Sequence, residues 1–148
     1  MKNNKGITLI IVIMTVVLLA ILAGLLVADG KDTYQESQVI KFEAYMKVIQ
    51  KKVDLIIEEY GNDLNFGSSL TDEQKDKLST IINDNPQIST RNVNEEKLRY
   101  FSSNDIENDL ELSDIEDEII INFANRDVIS LNGVEKDNVM HYVEYTLY

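Results

Sequence analysis

Ile7 to Ala28 reads I-T-L-I-I-V-I-M-T-V-V-L-L-A-I-L-A-G-L-L-V-A, 22 consecutive residues without a charge, in which only Thr8 and Thr15 interrupt the apolar character. At 1.5 Å of rise per residue a helix of that length reaches roughly 33 Å, enough to cross a hydrocarbon core of about 30 Å. A buried helix of a globular domain would normally keep one polar face, and this stretch has none. The run is expected to be a transmembrane helix. Lys2 and Lys5 precede it, while Asp29 and Asp32 follow with only Lys31 between them. The positive-inside bias then keeps the N-terminus in the cytoplasm and puts everything after Ala28 outside the cytoplasmic membrane, as a single-pass protein. A secretory signal peptide also begins with lysines, but its apolar region runs about 7–15 residues and ends in a small-x-small cleavage site. Here the run is longer, and Ala23-Gly24 and Ala28-Asp29-Gly30 make poor sites of that kind.

Beyond the span, Val39, Phe42, Met46, Ile49, Val53, Ile56 and Tyr60 follow one another at alternating spacings of 3 and 4, with charged residues around the rest of the helix. This is an amphipathic continuation over residues 29–60, with Gly61-Asn62 as its stop. The stripe suits either a free coiled-coil dimer or packing on the chain's own sheet. The 88 residues after Tyr60 need a covering layer, which favours the second. Asp29-Gly30 is a candidate break between the two helical halves, with Gly24 and Gly30 as flexible points.

Residues 61–148 read as a globular head. Thr71-Asp72-Glu73-Gln74 is a capping box, Leu78, Ile81 and Ile82 give the helix after it one apolar side, and Asn83-Asp84-Asn85-Pro86 ends it. Residues 87–99 are polar and aperiodic, a loop with a short helix near Glu95 to Tyr100. Ser103 to Glu107 starts another capped turn of helix, ending near Leu112. Glu118 to Phe123 is a strand, Ala124 to Asp127 a turn, Val128 to Leu131 its partner strand, and Asn132-Gly133 the next turn. A third strand is expected within Val139 to Leu147. The fold class is thus α+β, a long helix packed on a small antiparallel sheet.

Composition removes most chemistry. The chain has 148 residues, no cysteine, one histidine and a net charge of -12, with a pI near 4.4. Disulfides, thiolate metal sites and cysteine nucleophiles are excluded, and the negative surface disfavours nucleic acid and anionic headgroups. The acidic stretch Glu107 to Glu118 lacks the D-x-[DN]-x-[DN]-G calcium loop, so Asp114, Glu116, Asp117 and Glu118 read as a solvated face or turn. His141, in a tyrosine-rich strand, reads as structural. No metal ligands, cofactor or phosphate-binding loop are identified, and no enzyme is expected.

What stands at an unusual place is Lys5-Gly6-Ile7-Thr8-Leu9-Ile10, a basic leader ending in glycine directly against the first apolar residue. Here the chain resembles the type IV pilins and the pseudopilins of type II secretion systems. A second stretch, Ile119 to Val134, resembles the C-terminal hairpin of minor pilin-like proteins of low-GC Gram-positive bacteria. The resemblance implies a pilin-like fold and removal of residues 1–6 by a prepilin peptidase cutting between Gly6 and Ile7. The implied partners are other pilins or pseudopilins, that peptidase and a membrane assembly platform. The family's usual fifth mature residue is glutamate, and counting from Ile7 that position is Ile11, a departure that points to a place at a filament tip or in initiation. The family usually N-methylates the new terminus, here Ile7, a modification that the missing glutamate is expected to reduce. A different class of protein shares much of this sequence pattern: a single-pass anchored binding or sensory module whose leader stays uncut.

Overall fold

The computed structural model describes residues 5–61, 66–89 and 95–147. The chain divides into two units, with the boundary between Ser37 and Gln38. Helix α1 (Lys5–Tyr60) contributes to both and is helical through the candidate break at Asp29 and Gly30. It stops at Gly61, whose φ of 72° suits a residue without a side chain and whose N–H donates to Ile57 O at 2.9 Å. Asn62 lies outside the described residues.

The second unit is an α+β assembly, a long helix packed against small antiparallel sheets. Strands β1 (Leu98–Phe101), β2 (Ile119–Asn122) and β3 (Asp127–Ser130) form an antiparallel sheet in that order, with Tyr100 opposite Ile120 and Ile120 opposite Ile129. Strands β4 (Val134–Lys136) and β5 (Val139–His141) form a separate hairpin. Its two-residue turn, Asp137-Asn138, has φ of 53° and 62°, the left-handed pair that matches the twist of a tight hairpin. Two sequence-based expectations are corrected here. The third strand of the main sheet is Leu98 to Phe101, which overlaps the segment read as loop and short helix; among the described residues of that segment, Pro86–Ser89 is a helical turn and Glu95–Lys97 a 3-10 turn. The expected strand within Val139 to Leu147 is cut to three residues, and it pairs with β4 instead of the main sheet. Glu144–Thr146 then forms a 3-10 turn.

The main sheet is covered on both faces. On one, Phe42, Met46, Ile49, Val53, Ile56 and Ile57 of α1 meet Phe101, Ile119, Ile121 and Val128. On the other, helices α2 (Asp72–Asp84) and α3 (Pro86–Ser89) bring Leu78, Ile81 and Ile88 against Leu98, Ile120 and Ile129. Side chains alternate along a strand, so Ile119 and Ile121 face α1 while Ile120 faces α2. That is why β2 is an unbroken apolar run, I-I-I, with all three isoleucines fully buried. The stripe on α1 therefore packs on the chain's own sheet from Val39 to Ile56, as expected, whereas Tyr60 at its end is 58% exposed and lies beside the Phe66 ring.

The local signals act as read. Thr71 Oγ1 accepts from Gln74 N at 3.3 Å while Gln74 Oε1 accepts from Thr71 N at 2.9 Å, closing the capping box of α2. Helix α4 (Ser103–Leu110) has the same reciprocal cap, between Ser102 and Asp105, and ends where Glu111 turns left-handed. Gly67 is fixed by space as well as by its φ of 62°: a Cβ there would sit 2.6 Å from Tyr100 O and 2.8 Å from the Phe101 ring.

Ile49 is fully buried and Leu55 is 60% exposed on the same helix. Ile49→Ala should cost about 3 kcal/mol of unfolding free energy, whereas Leu55→Ala should stay within about 0.5 kcal/mol. Urea denaturation of the full chain in detergent checks this, and equal losses would mean that a different helix face meets the sheet.

Candidate functional site

The residues singled out in the sequence lie at the start of α1. Lys2 is outside the described residues. Lys5 opens the helix, and Gly6, Ile7 and Ile11 follow on its first two turns; their side chains too are outside the described residues. The helical spacing puts positions 7 and 11 one turn apart on one face. Four apolar side chains of the 7–28 run are described, and they are uncovered: Val16 is 60%, Val17 51% and Leu19 61% exposed, and Ala20 is exposed too. Among the described residues no helix is long and apolar enough to cross a membrane, and most of the 7–28 side chains are not among them.

In the second unit α1 shows a second apolar face. Ile40, Ala44, Val48 and Leu55, spaced 4, 4 and 7, lie away from the core face, and all four are exposed. Lysines 41, 47, 51 and 52 stand around them together with Glu43, Glu58 and Glu59, in a chain whose net charge is -12. Lys47 pairs with Glu43 and, at 3.4 Å, with Glu144; Lys52 pairs with Glu111 at 3.1 Å. Such exposed pairs are each worth well under about 1 kcal/mol, so they orient side chains more than they hold the fold.

The polar centre of the head is Asp117, which is only 5% exposed. Its Oδ2 accepts from Tyr45 Oη of α1 at 2.6 Å and from Ser130 Oγ of β3 at 2.7 Å. Its Oδ1 accepts from Asn132 Nδ2 and from Glu118 N, both at 2.8 Å. Ser130 Oγ in turn accepts from Gly133 N at 2.8 Å. One carboxylate thus joins the long helix, the sheet and the turn into β4. Asp117 is a correction to the sequence reading, which placed it on a solvated face. The alternation of β2, continued backward from Ile121 and Ile119, reaches 117 on the side facing α1, and that signal could have found it.

A cleft of about 220 Å³ opens beside this centre, lined by Lys41, Tyr45, Asp114, Glu116, Asp117 and Asn132 among others. Tyr45, Asp117 and Asn132 already bond one another. Among the described residues no group of three or more histidine, aspartate or glutamate side chains is placed to hold a metal ion. His141 Nδ1 lies 3.1 Å from Thr146 Oγ1, which donates to Val143 O at 2.9 Å. Together with Lys136 Nζ donating to Leu147 O at 2.7 Å, this fastens the last turn of the chain, a structural role for the histidine.

Burial first, and then the charge of Asp117, raise the Tyr45 hydroxyl well above the ordinary phenol pKa of 10.0. Above pH 10 the unfolded chain releases this proton while the native chain keeps it. The stabilising contribution is therefore complete below about pH 10 and declines as pH rises toward the folded value. Tyr45→Phe should cost about 2 kcal/mol at neutral pH, the loss of a hydrogen bond to a charged group. The gap between the two proteins should narrow in urea titrations carried out above pH 10. A gap independent of pH would rule out the Tyr45–Asp117 bond as its origin.

No family model, no curated protein and no solved structure matches the chain.

Proposed function

We propose that this chain is a minor pilin or pseudopilin, a structural subunit and not an enzyme. It enters the cytoplasmic membrane with its N-terminus in the cytoplasm, is trimmed after Gly6, and is lifted into a filament whose core is built from the 7–28 helices. One observation carries the reading. Lys5-Gly6-Ile7-Thr8-Leu9 stands directly against a 22-residue uncharged run, and the same helix continues into an amphipathic half that packs on an antiparallel sheet. A cut before an apolar segment leaves that segment attached to its head, whereas a cut after it would release the head. Glycine at the cut suits an extended backbone that must enter a protease cleft closely.

Neighbouring helices are as apolar as lipid tails, so leaving the bilayer for a helical core changes little in hydrophobic free energy, and packing decides the balance together with the assembly machine. The uncovered Val16, Val17 and Leu19, and farther along α1 the exposed Ile40, Val48 and Leu55 with their lysines, support a helix that meets other subunits. Ile11 bears on position in the filament. In this family the glutamate usually found there is held to meet the terminal ammonium of a preceding subunit; buried without that partner it would cost several kcal/mol. A subunit with no predecessor is better served by isoleucine, which supports a tip or initiating role.

Mass spectrometry of the chain from cells that possess the peptidase should give an N-terminus at Ile7, and Gly6→Val should abolish the cut. An intact leader would favour the single-pass binding or sensory module instead. Ile11→Glu should lower the number of filaments or move the protein into their shafts; unchanged filament number and composition would remove the tip assignment. Leu55→Glu should reduce recovery with filaments while leaving the unfolding transition within about 0.5 kcal/mol of the parent.

A further inference from the structure

Asn132-Gly133 combines two residues that can react with each other. The glycine nitrogen, unhindered by a side chain on its own Cα, attacks the asparagine side-chain carbonyl carbon. A new C–N bond closes a succinimide, the bond to the side-chain nitrogen breaks, and ammonia leaves carrying the proton given up by the glycine N–H. Water then opens the ring to aspartate or isoaspartate, without any oxidant or enzyme.

In the folded chain both reacting groups are held. Asn132 Nδ2 donates to Asp117 Oδ1 and Gly133 N donates to Ser130 Oγ, each at 2.8 Å, and Ser130 Oγ donates to Asp117 Oδ2 at 2.7 Å. Neither residue is free to be another. Gly133 has a φ of 66°, and a Cβ there would lie 2.9 Å from both His141 O and the Tyr142 ring. Asn132 supplies one of the four hydrogen bonds to a carboxylate that is almost fully buried. The fold therefore demands a reactive pair and restrains it with the network that demands it.

We propose that Asn132-Gly133 is a site of spontaneous deamidation, that the Asp117 network holds the reaction off in the folded chain, and that the reaction, once it occurs, weakens the polar tie between the long helix and the sheet. The product carboxylate replaces a donor beside Asp117 with a like charge. An isoaspartate also adds a methylene to the backbone ahead of Gly133, displacing the N–H that Ser130 accepts. Asp117 Oδ2 is the acceptor for Tyr45 of α1, so damage at the turn reaches the helix through one residue. The change is one-way, so a subunit outside the cell would carry it as a record of its age.

The test incubates the full chain in detergent, folded and in urea, at mildly alkaline pH. Peptide mass spectrometry follows the amide-to-acid mass change at Asn132, and isoaspartyl methyltransferase labelling follows the isomer. Two hydrogen bonds that must break before reaction predict a native rate at least about tenfold below that in urea. Ser130→Ala should raise the native rate severalfold. Because that variant can loosen the whole fold, Asn132→Asp serves as a second probe. It should remain folded but less stable, and its effect should shrink in a Tyr45→Phe background, as coupling through Asp117 requires. A native rate equal to that in urea would overturn the protective role. An Asn132→Asp protein as stable as the parent, or one whose loss is undiminished by Tyr45→Phe, would overturn the link to the helix.

Discussion

Strand β2 must be dry on both sides, and most of the head follows from that. Ile119, Ile120 and Ile121 are completely buried, each worth about 1.5–3 kcal/mol relative to exposure, and a strand cannot bury successive residues with one covering layer. One layer is the outer half of α1, whose stripe from Phe42 to Ile57 meets Ile119 and Ile121. The other is α2 with α3, which meet Ile120. The capping boxes at Thr71 and Ser102 matter because they fix where the short helices begin, and hence which residues face the core. With no cysteine to staple the head, this three-layer burial and the caps carry its stability.

Apolar packing fixes which face of α1 meets the sheet more firmly than where along its length it sits. A stripe repeating every three or four residues offers similar contacts after a slip of one turn. Asp117 removes that degeneracy. Its carboxylate is engaged by Ser130, Asn132 and its own neighbour's N–H, and among the described residues of the helix Tyr45 alone bonds to it. A slip by a turn would withdraw the tyrosine and leave a buried acceptor short of a donor, a cost of about 1–3 kcal/mol. Buried polar groups fix register in this way in some coiled coils.

The parts of the fold legible in sequence are those whose cause is local. The α1 stripe, the Thr71 box and the hairpin of β2 and β3 each depend on residues within one turn or one strand, and each stands as read. Strand β1 did not announce itself, because Leu98-Arg99-Tyr100-Phe101 has neither alternation nor flanking turns of the usual kind; it is a strand because β2 needs an antiparallel neighbour. The Asn132-Gly133 turn was visible, but the hairpin it precedes is closed by Asp137-Asn138, whose paired left-handed conformation without a glycine gives a weaker signal. Asp117 was hidden by its company: among Asp114, Glu116 and Glu118 it looks like one more solvated acid. The leader and the span are expectations from charge and length alone, and most of the side chains they concern lie outside the described residues.

On the proposed reading the head is drawn along with a helix pulled from the membrane, so the contacts between α1 and the sheet must transmit force along the helix axis. Apolar contacts are non-directional and resist sliding poorly, since each one lost is replaced by a similar one a turn away. Directional bonds do not have that property. They are spread along the packed half of α1: Tyr45 to Asp117 at 2.6 Å, Gln50 Nε2 to Arg126 O at 2.8 Å, Asp54 to Arg126 at 3.4 Å and Lys52 to Glu111 at 3.1 Å. The last three are exposed and individually weak, but the first is anchored in a network that also holds β3 and the turn after it. Axial load on the helix would reach the sheet chiefly through Asp117, and the residue that sets the register of the fold is then also the one that keeps it under tension.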